Sequence, residues 1–473
     1  MIAGKRVQVL FFAIFLAFFY IFHRRVLAAH FGPDEMMNLY GHWHPPLWKT
    51  IAAEFGFWSK TVRPMGAIYY LPLYGLFGLN PWPFNLVRSL ILLLNTVIFF
   101  FLAKEIARSS WVALLASFPV AYQANIGNLH YDGAYIYDVL CGAFYFAALL
   151  YYVSRRQKVG PLHARQICVF LVLYICALDS KEMAVSLPVI VLAYEVLFVK
   201  RKARFTPVLV AGAVTLIFIL GKTTGQGALT ALESYKPIYT WQRFSESSTR
   251  ILNQMFYTGV FTIGRVLELW AVLLYIGLRN WGRRNFDPRW LFFFIWVVVT
   301  PLPLVFLPGR GGATLYVVSA GWAMLAALAA RAIFHWFARQ PVAGLPKRAI
   351  MTAGLAACIA AYWHETLRAE DKLTAFLTKN GEDTREAIAQ MQALGAHPPP
   401  HSLVVFLNGP FPHDYDTVFI AALVWREPTV NIWFKPKQPP GDDVLKRANY
   451  IFDYVDGRFV ELRSPHAVRP ALP

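Results

Sequence analysis

The sequence predicts an α-helical polytopic membrane protein with about eleven spanning helices, followed by a small α/β domain outside the membrane. Three observations predict it. The 473 residues are 57% hydrophobic and only 15% charged, with a mean hydropathy of +0.43, a composition far more apolar than soluble domains use. Apolar runs close to the roughly 20 residues needed to cross a bilayer recur along the chain. The basic residues gather in clusters that alternate with those runs, as the positive-inside rule requires.

The expected spans, in order, are Val7–Phe22, Phe84–Ala103, Trp111–Ala124, Gly133–Val153, Ile167–Leu178, Met183–Val199, Phe205–Leu220, Ile251–Leu278, Trp290–Leu307, Leu315–Phe337 and Ile350–Tyr362. The third and fifth are short, so tilting, breaks or polar extensions are expected there. Met65–Leu79 carries Pro72, Gly75 and Gly78 and reads as a broken or re-entrant helix.

The formal net charge of +18 would suit a nucleic-acid partner, but its distribution argues against one. Lys5 and Arg6 precede the first span, and Lys104 and Arg108 follow the second. Arg155, Arg156 and Lys158 follow the fourth, and Lys200, Arg201, Lys202 and Arg204 the sixth. Arg279, Arg283, Arg284 and Arg289 follow the eighth, and Arg339, Lys347 and Arg348 the tenth. With eleven spans, every cluster falls on the N-terminal side of the membrane. The N-terminus is then cytoplasmic, and the loop holding Asp34 and the C-terminal tail are extracytoplasmic. Arg24 and Arg25 are the main exceptions, and they flank that loop. Leu27-Ala28-Ala29 faintly resembles a signal cleavage site, but the aromatic first span and Arg24-Arg25 favour an uncleaved anchor. Short cytoplasmic loops and the lack of a targeting sequence suggest a bacterial inner membrane. An endoplasmic-reticulum membrane would obey the same charge rule. Cys141, Cys168, Cys176 and Cys358 all fall in expected spans without metal-site spacing and read as small packing residues.

Beyond about Thr366 the pattern changes, dividing the chain into a membrane domain, residues 1–365, and a domain of about 100 residues, 366–473. Thr384–Leu394 is an amphipathic helix pattern. Ser402–Leu407 and Thr429–Phe434 are strand patterns. Ile451–Val455 and Arg458–Leu462 flank Asp456-Gly457, a two-residue hairpin signal. Pro398-Pro399-Pro400 and Pro439-Pro440 mark loops.

Pro33-Asp34-Glu35 is an acidic pair just beyond the first span. A carboxylate at a membrane–water boundary can act as a general base or coordinate a divalent cation. A helix cap or a solvated loop charge is the plain alternative. Arg63-Pro64, His130-Tyr131-Asp132, Asp179-Ser180-Lys181-Glu182 and Arg310 lie at span ends on the same expected face. Ionisable groups near spans mark functional sites or structural ion pairs. Together they supply bases and phosphate-binding cations, with Arg suited to bidentate contacts and Lys to point-charge contacts. His42 and His44 lie two apart, poor spacing for one helical face, and Pro45-Pro46 implies an irregular interfacial loop. The metal requirement is therefore open: no cofactor is certain, and a divalent cation is an alternative. Gly221-Lys222-Thr223 looks like the end of a phosphate-binding loop, but Leu216 stands where its first glycine belongs, which excludes nucleotide hydrolysis there.

Four stretches carry a family resemblance. They are Gly32-Pro33-Asp34-Glu35; Arg63-Pro64-Met65-Gly66 with Leu76-Phe77-Gly78-Leu79-Asn80-Pro81; Ser180-Lys181-Glu182 with Leu187-Pro188 and Tyr194-Glu195; and Arg310 with Leu315-Tyr316-Val317-Val318-Ser319-Ala320-Gly321. In their order the chain resembles the polytopic GT-C glycosyltransferases, particularly the branch of protein O-mannosyltransferases. The stretches span about 70% of the chain. The resemblance implies a GT-C-like fold and an enzyme that moves a sugar from a polyprenyl-phosphate carrier to an acceptor hydroxyl on the external face, with inversion. It implies Asp34 as general base, with Glu35 and Asp132 as further catalytic acids. Lys181 and Arg310 would hold the lipid phosphate, with Arg63, His130 and Glu182 completing the substrate site. His130-Tyr131 departs from the commoner pattern, and no tetratricopeptide pattern follows, so the acceptor, protein or glycan, is left open. The implied partners are the polyprenyl-phosphate sugar and the bilayer. A transporter or flippase for an anionic or lipid-linked substrate is the alternative, and a noncatalytic scaffold is a third reading. No internal repeat of the transporter kind is visible.

Overall fold

The computed structural model describes residues 5–46, 48–50, 52, 57, 63–224, 228, 231, 233–279, 281–283, 285–339, 347–411, 414–435 and 438–463. Helix α1 (Lys5–His23) leads through a short turn into α2 (Pro33–Trp43), and the two apolar pieces bend by 75°. Pro33 occupies the first turn of α2, where its fixed φ suits the helix and its missing N–H costs nothing. Helix α3 (Ala67–Phe77) follows a 3₁₀ turn at Pro64–Gly66. At about 1.5 Å per residue it is too short to cross a bilayer, in keeping with the broken character of Met65–Leu79.

Among the described residues, six helical stretches are long and apolar enough to span a membrane: Pro81–Ala107, Gly133–Lys158, Glu182–Val199, Thr206–Thr224, Pro288–Val305 and Gly312–Phe337. The bent pair around Ala28 makes a seventh if counted as one span. This is fewer than the eleven expected, and the differences have physical causes. Helix α5 (Ser110–Ala121) and helix α7 (Ala164–Ser180) hold 12 and 17 residues. The apolar run Ile251–Leu278 is not one span but parts of two helices, α10 (Trp241–Met255) and α11 (Ile263–Leu278). Asn253 closes the break by bonding both backbone groups of Phe261, at 3.1 and 3.0 Å. The last run, Ile350–Tyr362, lies inside the 47-residue helix α14 (Lys347–Ala393), which continues past residue 366 toward the C-terminal sheet.

The core of the membrane region is built on α4 (Pro81–Ala107) and α6 (Ile136–Lys158). Buried Asn95 of α4 donates to the Val139 carbonyl of α6 at 2.8 Å, because an amide side chain away from water needs a partner. Helices α8 (Leu187–Tyr194), α9 (Thr206–Thr224), α12 (Pro288–Val299) and α13 (Tyr316–Arg339) complete the bundle. Gly321 of α13 lets Trp296 of α12 approach; a Cβ there would lie 2.4 Å from the indole. The same indole donates to Val317 O at 2.9 Å. Small residues at helix contacts are how membrane helices pack closely.

The C-terminal region carries a four-stranded sheet in the order β2-β1-β3-β4, with β1 Leu403–Phe406, β2 Asn431–Phe434, β3 Tyr450–Val455 and β4 Arg458–Arg463. Strand β1 is parallel to β2 and β3, and β3 and β4 are antiparallel. Asp456 (φ 49°) and Gly457 (φ 78°) make their turn, the geometry that an Asp-Gly pair favours. Helix α15 (Asp414–Trp425) ties the sheet to the membrane region. Phe419 packs on Tyr40 of α2 with ring centroids 5.0 Å apart, and Tyr74 of α3 donates to Leu423 O at 2.7 Å. The C-terminal region thus presses α2 into place. Tyr74→Phe should cost about 1 kcal/mol, read as faster hydrogen exchange in α15 with the spanning helices unchanged.

Candidate active site

The site is built at one end of the bundle from two centres, one carboxylate and one cationic. Asp34 and Glu35 occupy the first turn of α2, where acidic side chains are stabilised by the helix dipole. Neighbouring positions on a helix point about 100° apart, and here that separates their environments. Asp34 is exposed, whereas Glu35 is 2% exposed. Glu35 Oε2 accepts from Gly133 N at 3.2 Å, and its Oε1 lies 3.9 Å from Arg88 Nη1. A Cβ at position 133 would fall 1.7 Å from Glu35 Oε1, so any side chain there would displace the carboxylate. Arg88, with no exposed surface, donates to His130 O at 3.0 Å and to Asn85 Oδ1 at 2.6 Å.

Asp132 caps the turn Gly133–Tyr135, its Oδ1 accepting from Ala134 N at 2.9 Å. It lies against the Gly32 backbone that leads into Asp34; a Cβ on Gly32 would sit 3.3 Å from Asp132 Oδ1. Burial pushes the Asp132 carboxyl up to about 6. The Ala134 bond and Arg88 oppose the shift, and the Asp34 charge adds to it. Asp34, Glu35 and Asp132 therefore form one acidic centre in which Asp34 alone is fully open to solvent.

The cationic centre gathers Arg63, Lys181, Glu182 and Arg310 from distant parts of the chain. Arg63 grips Glu182 with two parallel bonds of 3.2 Å and donates to Tyr235 OH at 2.7 Å. Arg310 stacks over the same Tyr235 ring at 4.1 Å and donates to Ser234 O at 2.9 Å. Lys181 is committed instead to Asp138, 3.0 Å away, and is 7% exposed. Lys222, at the end of α9, lies within electrostatic reach of Asp179, Glu182 and Arg63.

Aromatic residues join the two centres. Arg63 lies over the Tyr137 ring at 5.5 Å, and Tyr137 OH pairs with His42 Nε2 at 2.9 Å. His42 stacks on Tyr70, whose hydroxyl donates to Gly133 O at 2.8 Å. His42 is thus helical and internal rather than part of an interfacial loop. His44 stacks on Tyr40. Among the described residues no group of three or more His, Cys, Asp or Glu side chains could hold a metal ion.

His130 is placed differently from its neighbours in sequence. It is fully buried, its Nδ1 2.9 Å from His23 Nε2. His23 Nδ1 faces the Phe19 carbonyl and must donate to it, so His130 is the donor to His23. Burial holds His130 well toward the neutral form. It reaches the carboxylate centre only through its own carbonyl on Arg88. Sequence reading missed Arg88, Tyr137, Tyr235, Asp138 and Lys222. A lone arginine inside the apolar run Phe84–Ala103 was the available signal for Arg88. Lys222 was visible in Gly221-Lys222-Thr223 once nucleotide binding had been set aside.

The fold is similar to that of ArnT. The structure of ArnT from Cupriavidus metallidurans bound to undecaprenyl phosphate superposes with a TM-score of 0.54, at 13% identity, over 96% of this chain and 92% of ArnT. The apo form of ArnT gives 0.55 at 14% identity, over 94% and 88%. No protein-family model matches the chain, and no curated protein matches it. The likeness is one of fold and does not select the O-mannosyltransferase branch that the four stretches suggest, while the long apolar helices support an integral membrane protein.

A carboxyl raised in the folded protein favours folding below its unfolded value and loses that contribution as pH rises through the folded value. For Asp132 this window runs from 3.8 to about 6. Asp132→Asn should gain melting temperature relative to the wild type as pH rises across that window. Thermal unfolding of the detergent-solubilised pair at stepped pH checks this.

Proposed function

We propose that this protein transfers a sugar from a polyprenyl-phosphate carrier to an acceptor hydroxyl, by a single displacement with inversion. The observation that carries the reading is the pairing of an exposed carboxylate, Asp34, with the two arginines, Arg63 and Arg310, that share Tyr235 at the same end of an ArnT-like bundle. ArnT has been solved with undecaprenyl phosphate bound, which supports a polyprenyl-phosphate donor here. Asp34 takes the proton of the acceptor hydroxyl as its oxygen bonds to the anomeric carbon. The bond from that carbon to the phosphate oxygen breaks, and its electron pair leaves with the lipid phosphate. Arg63 and Arg310 stabilise the charge developing there, with Lys222 adding to the field. Tyr235 holds both guanidinium groups until phosphate arrives.

Asp132 lies beside Asp34 and keeps the local potential negative, which favours proton acceptance. Glu35, buried against Gly133 and Arg88, positions α2. Lys181, paired with Asp138, shapes the cationic wall rather than gripping phosphate directly. His130 is part of the packing behind Arg88. In this reading residues 1–365 form the catalytic membrane domain and 366–473 an extracytoplasmic α/β domain. The N-terminus is cytoplasmic in a bacterial inner membrane, with the C-terminus outside.

The test is incubation of the purified protein with radiolabelled polyprenyl-phosphate sugars, following release of the lipid phosphate. Turnover of none of them would remove the reading. Asp34→Asn should lower the transfer rate by about 10²–10⁴-fold with donor binding retained, and wild-type turnover in that variant would move the base to Asp132. Arg310→Ala should weaken donor binding by about 10-fold or more. Arg310→Lys should weaken it less, because the charge survives while the planar fork is lost. Donor titration of the two variants checks the order.

A further inference from the structure

Tyr194-Glu195 belongs to the sequence pattern but takes no part in the active site. It sits at the opposite end of the bundle, where α8 widens into a π-helical turn, Glu195–Val199. Such turns interrupt the regular helix ladder and recur at functional sites. Glu195 has no exposed surface and accepts four bonds: Tyr152 OH at 2.8 Å, Arg156 Nε at 2.7 Å, Arg156 Nη2 at 3.1 Å and Arg204 N at 2.8 Å. This arrangement fixes Arg156, itself 7% exposed, in the wall of a cavity of about 870 Å³.

The cavity is lined by the last turn of α4, the end of α6, the π-helical turn and the start of α12. Its charges nearly balance. Arg289 is held by Asp287 at 2.6 Å, and Arg156 is neutralised by Glu195. Arg108 and Lys202 are exposed and make no ion pair among the described residues, and Glu105 is the carboxylate that faces them. One net positive charge remains. Ile106, Phe198 and Val199 supply an apolar wall that runs into the spanning helices.

We propose that this cavity binds the phosphodiester headgroup of an anionic phospholipid. A single net positive charge matches the single negative charge of a phosphodiester. The apolar wall at the ends of the spans suits the first carbons of acyl chains. Basic recesses between spanning helices recognise anionic headgroups in this way. The assignment goes beyond the proposed transfer reaction and does not depend on it.

The test titrates the purified full-length protein, in neutral detergent, with phosphatidylglycerol and reads bound lipid by native mass spectrometry. The double variant Arg108→Asn and Lys202→Ala is compared with Lys379→Ala and Arg385→Ala, which removes the same charge from exposed positions on α14, no residue of which lines the cavity. Asparagine is used because Arg108 has φ 52°, a region asparagine tolerates. The first variant should bind phosphatidylglycerol roughly 30-fold more weakly, each basic group near an anionic headgroup being worth about fivefold. The control pair should bind as the wild type does. Glu105→Gln should bind more tightly, a gain that misfolding cannot mimic. Equal losses in both double variants, or equal binding of phosphatidylcholine, would overturn the proposal. Displacement of the lipid by millimolar inorganic phosphate would also overturn it, in favour of a soluble phosphate ligand.

Discussion

Arg88 is a full positive charge with no exposed surface, and the carboxylate end of the molecule is arranged around it. A buried ion is costly unless its hydrogen bonds and a counter-charge are supplied. The chain supplies them from three places: Asn85 one turn earlier on α4, the His130 carbonyl from the segment before α6, and Glu35 from α2. Holding one guanidinium therefore fixes the relative positions of α2, α4 and the Asp132 turn. Gly133 completes the fit, because a side chain there would push the Glu35 carboxylate from its place.

This constraint explains why two adjacent carboxylates have different fates. The helix turns Glu35 inward to Arg88 and leaves Asp34 on the open side, next to Asp132. The buried member makes the first turn of α2 rigid, so the exposed member is presented at a fixed place. Positioning of this kind is what the proposed general base needs, since its reach would have to match an acceptor hydroxyl. The cationic centre follows the same logic. Arg63 is committed to Glu182 through one guanidinium edge, Nε and Nη2, while Tyr235 lies against both Arg63 and Arg310. Aromatic faces hold guanidinium groups in place without neutralising them.

The two ends of the bundle treat charge differently. At the carboxylate end, acids and bases from separate segments are brought within contact of one another. At the other end Glu195 spends its charge on Arg156 and leaves Arg108 and Lys202 turned outward. Both ends obey one rule: a charge within the bundle is paired inside the protein, and an unpaired charge is left where water or a ligand can reach it.

The sequence by itself determined the membrane character, the existence of the main apolar helices, the Asp-Gly hairpin and the residue types at the carboxylate end. These depend on composition, on runs of about 20 apolar residues and on local turn chemistry, which any reader of the chain can count. Asp34, Glu35, Arg63, His130, Asp132, Lys181, Glu182 and Arg310 were legible as a set because ionisable groups stand out at the ends of apolar runs. Only the tertiary structure decided which of those runs form helices long enough to span. Asn253 bonds to Phe261 across a break that hydropathy does not register, and α14 carries its apolar run into a helix of 47 residues. It likewise decided which members of the set are free. Lys181 and Arg310 look equivalent in sequence, yet Asp138 from another helix takes the first and a tyrosine ring stacks on the second. Hydropathy and spacing are local properties. The partner of a buried charge is set by contacts between segments far apart in the chain, and those exist only once the bundle has closed.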